Sequence, residues 1–156
     1  MVGRWGARWA GRRFPCATGR GGIGRKRGEG DGITPAGVFR LERVLFRPDR
    51  TVASGVPLRL ADGWSDDPAD PDYNCHVKRP HRWRCEALWR PDPLYDLIGV
   101  LDFNRWPPRA GAGSCIFLHV WRRPRHPTEG CIAFARRDLQ WILGHWQARS
   151  RVVVQP

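Results

Sequence analysis

GSCIFLHVWRRPRHPTEGCIAF, residues 113–134, is the stretch whose reading decides the fold. Ser114 to Trp121 is an apolar run with branched and aromatic side chains, the pattern of a buried strand. His119 sits near the end of that run, a loop rich in proline and charge follows, and Gly130-Cys131 closes it. A strand end with a loop return can bring an imidazole to a thiol. Chemistry on an amide or ester through sulfur needs that meeting, because imidazole takes the thiol proton and imidazolium lowers the thiol pKa. Gly130 gives the backbone close access beside Cys131. The N–H groups around 130–131 are candidates to face an oxyanion, and the Thr128 hydroxyl is a candidate to fix the loop or assist. The plainer reading stands beside this one. Cysteine often packs as a small hydrophobe, as expected for Cys115 within SCIFL, and a lone histidine near a core is often only hydrogen-bonded.

Outward from this stretch, LYDLIGVLDF (94–103) predicts a second apolar strand, a sheet neighbour of Ser114–Trp121. GVFRLERVLF (37–46) alternates polar and apolar residues, fitting a strand with one buried face. A short strand is expected within 54–63, and RVVV (151–154) predicts a last one. In RRDLQWILGHWQ (136–147), Leu139, Ile142, Leu143 and Trp146 recur at helical spacing, the one convincing helix. Residues 17–36 read as turns around one short strand. The segment from Trp64 to Pro93, with Pro68, Pro71, Pro80, Pro91 and Pro93, reads as a long polar loop, a candidate lid. The expected fold is mainly β, with a carboxy-terminal helix.

With 156 residues the chain has the size of one domain with a real core. Nine tryptophans suit a groove lined by indoles or ordinary core filling. The formal charge is +12, and eight of the basic residues precede residue 28, where no acid occurs. Residues 1–13 are therefore expected to be a basic amino-terminal segment, with the domain proper from 14 to 156. Such a field attracts nucleic acid, anionic lipid or an acidic wall polymer. Cys16, Cys75, Cys85, Cys115 and Cys131 are odd in number, so one at least stays unpaired in a monomer, and Cys75–Cys85 is a conceivable bridge. No span reaches transmembrane length, and the first residues lack the apolar core of a secretory signal. A metal site competes for the same residue types: Cys75, His76, His81 and Cys85 lie in CHVKRPHRWRC (75–85), and His126 lies near Cys131. Their spacing does not match a Cys-x2-Cys knuckle.

EGDGITPAGVFRL (29–41) carries Gly30, Asp31, Thr34, Pro35, Gly37 and Phe39, and the later stretch carries His119, Thr128, Gly130 and Cys131. Together these resemble the L,D-transpeptidase catalytic domain family, of YkuD-like β-sandwich fold, over roughly residues 14–156. The resemblance implies Cys131 as acyl-accepting nucleophile and His119 as its base, the other ring nitrogen held by a backbone carbonyl. It implies peptidoglycan stem peptides as partners, with no cofactor, no metal, no nucleic acid and no integral membrane contact. It also implies a place in the periplasm or cell wall. The family's usual arginine two residues after the cysteine is Ala133 here. Substrate carboxylate recognition would then fall to Arg122, Arg123 or Arg125, with His126 near the mouth. A carboxypeptidase or crosslink hydrolase of the same fold, a non-catalytic wall-binding module and a small nucleic-acid binder are the alternatives.

Overall fold

The computed structural model describes residues 1–156. The strands are β1 (Val2–Gly3), β2 (Gly6–Trp9), β3 (Arg12–Phe14), β4 (Cys16–Ala17), β5 (Ile23–Gly24), β6 (Thr34–Pro35), β7 (Gly37–Phe39), β8 (Leu41–Phe46) and β9 (Val56–Pro57). They continue with β10 (Asp62–Ser65), β11 (His76–Lys78), β12 (Cys85–Ala87), β13 (Leu97–Leu101), β14 (Phe117–Val120) and β15 (Ile132–Phe134). Helix α1 (Arg136–Gly144) and β16 (Val152–Val154) complete the chain. The fold is mainly β with a single carboxy-terminal helix, as expected.

A six-stranded sheet, in the order β4-β15-β14-β13-β8-β9, lies at the centre. Val, Ile, Leu and Phe dominate β13 and β14 because both faces are covered, and every residue of the two strands is buried. They pair antiparallel, Ile98 opposite His119. One face packs against a five-stranded sheet, β3-β2-β1-β16-β7, and α1: Leu118, Val120, Ile132 and Phe134 meet Val2, Ala7, Phe14, Phe39, Val152 and Val154. In α1, Leu139 and Ile142 are buried and Leu143 is half-buried; Trp146, half-buried beside them, lies just past the end of the helix. The other face carries Ile98, Val100 and Phe117, which pack with Trp64, Leu88 and Tyr95.

Three expectations are corrected. The first thirteen residues are not a separate arm: they form β1, β2 and part of β3, with Val2 and Ala7 pointing inward and Arg8 and Arg13 outward. The segment from Trp64 to Pro93 is not one polar loop. It holds most of a three-stranded sheet, β11-β10-β12, whose Trp64 is fully buried against Phe117. Its strands of three or four residues, broken by turns, are too short to show a periodicity. The apolar run at 114–121 yields a strand only from Phe117, because Cys115 takes a left-handed conformation, φ 55°. No helix is long and apolar enough to cross a membrane.

Candidate active site

β14 and β15 run parallel, with His119 opposite Ala133. Cys131 lies two residues before Ala133 and so faces the same side of the sheet as His119 and Phe117. The Phe117 N–H points at its sulfur, 3.4 Å away. His119 and Cys131 thus share one cavity of about 770 Å³, on the face opposite the five-stranded sheet. The three-stranded sheet and its flanks supply one wall through Asp66, Arg84, Glu86 and Arg90.

The His119 ring is held from two sides. Its Nδ1 lies 2.8 Å from the Val120 carbonyl, which sets Nδ1 as the donor and leaves Nε2 as the ring's acceptor. The Tyr95 ring meets it edge-on at 5.5 Å, and the Tyr95 hydroxyl donates to Glu86 at 2.8 Å. Burial pushes the imidazole down to about 4, so it is neutral near pH 7.

The Cys131 thiol donates to the Cys115 carbonyl at 2.9 Å. No hydrogen bond joins it to His119 in this state. Burial pushes the thiol up to about 12; the Phe117 N–H and the Lys26 ammonium pull the other way, and Glu86 adds to the rise. The resting pair is uncharged, where the sequence led us to expect thiolate beside imidazolium. Desolvation is the largest cause of both shifts. Cys115 is half-buried and lines the cavity, so it is not the simple core filler expected, and its N–H donates to Asn74.

Two threonines set the Cys131 peptide. The Thr128 hydroxyl donates to the Cys131 carbonyl at 2.6 Å and accepts from the Gly130 N–H at 3.2 Å. That occupies the Gly130 N–H, one of the expected oxyanion donors, while the Cys131 N–H takes part in no hydrogen bond of the chain. Buried Thr34 reaches the same carbonyl at 3.4 Å and accepts from the Gly19 N–H at 2.7 Å. Gly130 has φ 138°, and a Cβ there would lie 3.0 Å from the Ile33 carbonyl oxygen, so the approach needs glycine.

Sequence reasoning gave Thr34 and Asp31 only a turn. Asp31 in fact accepts from Lys26 Nζ at 2.6 Å and from the N–H groups of Arg27 and Ile33 at 2.7 and 2.9 Å. Burial raises its carboxyl, but these donors prevail and hold it at about 2. The ion pair parks Lys26 in the cavity wall beside Gly130. Lys26, Tyr95 and Glu86 were missed: nothing in the local sequence marks them, since they reach the site from segments distant in the chain.

Of the proposed substrate contacts, Arg122 and His126 line the cavity, whereas Arg123 and Arg125 are exposed outside it. Arg84 pairs with Asp66 and Arg90 with Asp92, so Arg122 is the guanidinium of this cavity without an acidic partner. The four residues weighed as metal ligands do not converge. His76 meets Asp62, His81 meets Asp70, Cys75 lies by Arg105, and Ser65 of β10 stands between Cys75 and Cys85, which remain free thiols.

A model of the L,D-transpeptidase catalytic domain matches residues 7–154. The chain belongs to this family. The match takes in most of β2 and all of β3, in keeping with their place in the five-stranded sheet, so the L,D-transpeptidase domain begins before residue 14. No curated protein and no solved structure matches the chain.

Proposed function

We propose that the chain is a peptidoglycan L,D-transpeptidase acting in the periplasm or cell wall, with Cys131 as nucleophile and His119 as base. The observation that carries the reading is the hydrogen bond from His119 Nδ1 to the Val120 carbonyl, which leaves a neutral Nε2 as acceptor in the cavity that also holds the thiol. As a stem peptide enters, the thiol leaves the Cys115 carbonyl, its proton passes to Nε2, and sulfur attacks the L-centre carbonyl preceding a D-residue. The Cys131 N–H faces the oxyanion. The bond to the terminal D-alanine breaks, its amine takes the proton from His119, and a thioester remains. The amine of a second stem then attacks the thioester, forming an amide and returning the proton to sulfur. Arg122, unpaired at the wall, takes a stem carboxylate.

The test is mass spectrometry of purified muropeptides incubated with the protein, with and without an amine acceptor. A new crosslinked dimer, a cysteinyl adduct on Cys131 and loss of both in Cys131→Ala are expected. Loss of D-alanine without dimer would replace the transferase by a carboxypeptidase. No adduct and no change would leave a non-catalytic module.

A further inference from the structure

The arginines before residue 28 take no part in the cavity chemistry apart from their place in the fold, yet they are arranged. Arg8 of β2 and Arg13 of β3 stand directly opposite each other on the outer face of the five-stranded sheet, both exposed. Like charges in facing positions destabilise a sheet, so a cross-strand arginine pair without an acid is unfavourable for the fold alone. Neither side chain has an ionic partner, and the same holds for Arg4, Arg40 and Arg151. Arg40 follows β7 with the outward parity of that strand: Val38 and Val153 pair on that face, while Phe39 and Val152 point inward. Arg151, before β16, is half-buried and donates to the Ala148 and Ser150 carbonyls, so it does not add to the field.

Apolar side chains are mixed into this field. Val38 is 64% exposed in β7, and Trp5, in the hairpin between β1 and β2, is 80% exposed with the Arg4 guanidinium 5.0 Å from its ring centre. A soluble polyanion satisfies guanidinium groups and leaves Trp5 and Val38 in water. A bilayer with anionic headgroups takes both, because indole settles at the headgroup level while arginine pairs with phosphate.

We propose that the outer face of the five-stranded sheet docks on an anionic phospholipid bilayer. The consequence for the site is geometric. The inner face of this sheet packs on one side of the central sheet, and His119, Cys131 and the cavity lie on the other. Docking therefore leaves the whole sandwich between lipid and thiol, and the cavity stays on the side away from the bilayer. This inference does not depend on the proposed reaction.

The test is co-sedimentation of the full chain with vesicles of phosphatidylglycerol and phosphatidylcholine, against vesicles of phosphatidylcholine alone. Binding to the anionic vesicles only is expected. Arg8→Gln with Arg13→Gln lowers partition about twenty-five-fold, at about fivefold per guanidinium. Trp5→Ala lowers it several-fold, and iodoacetamide labels Cys131 at the same rate with and without vesicles. Thermal melts show that the variants fold; all three positions are exposed, so Tm is unchanged or raised. Equal binding to neutral vesicles, or no binding by the wild type, overturns the proposal. So does protection of Cys131 by lipid. Tighter binding to a short DNA duplex or to polyphosphate than to vesicles, indifferent to Trp5→Ala, assigns the face to a soluble polyanion instead.

Discussion

Replacing Asp31 by Asn removes a charge that the turn at 26–33 is built around. The carboxylate collects the Lys26 ammonium and the Arg27 and Ile33 N–H groups, and its side chain is only 14% exposed. A carboxyl held at about 2, against 3.8 unperturbed, contributes about 2 kcal/mol to folding when ionised. The sign follows from the direction of the shift. The folded-state value is depressed, so the contribution is present in full above about pH 4 and is lost as pH falls through about 2. Urea melts of wild type and Asp31→Asn across this range measure it. With a slope of about 2 kcal/mol per molar urea, the midpoints differ by roughly 1 M near neutral pH, and the gap closes toward pH 2. A gap of the same size at neutral and acid pH would refute the reasoning, since it would come from lost packing or neutral hydrogen bonds instead of charge.

Three further outcomes follow from the cavity. Because the Cys131 thiol titrates near about 12, its alkylation by iodoacetamide should rise about tenfold per pH unit from about pH 7 to about pH 10; a plateau already reached at neutral pH would mean a standing thiolate–imidazolium pair. Lys26→Met removes the cation that lowers the thiol pKa, so alkylation at fixed pH slows several-fold; an unchanged rate would show that the ammonium does not act on sulfur. Thr34→Val leaves the buried Gly19 N–H without its acceptor, which costs about 2 kcal/mol, or roughly 6 °C in Tm by calorimetry, and a melt matching wild type would remove Thr34 from the account.

What the sequence disclosed depended on how long each pattern ran. β13, β14 and α1 were legible because four or more apolar positions recur at strand or helix spacing. Trp64 lies where the sequence predicts a loop, yet it is among the most buried side chains, because β10 has four residues between turns and its neighbours are polar. In residues 1–14 the inward positions Val2, Ala7 and Phe14 are spaced by arginines and glycines, so charge dominated the reading and hid a strand alternation. His119 and Cys131 stood out as chemical types beside glycine and threonine. Their uncharged resting state did not, because it comes from burial by Tyr95 and the small sheet, which no local spacing encodes.

The parallel ladder between β14 and β15 divides the site into a part that tolerates redesign and a part that does not. Parity along β15 decides which way the sulfur looks, and Thr128 and Gly130 fix the peptide that carries it, whereas residues 122–127 bridge the end of β14 to them. Loops of other lengths can be grafted between Trp121 and Thr128 to retune what enters. One residue inserted between Cys131 and Ile132 would instead turn the sulfur through half a pleat, into the oily seam beneath.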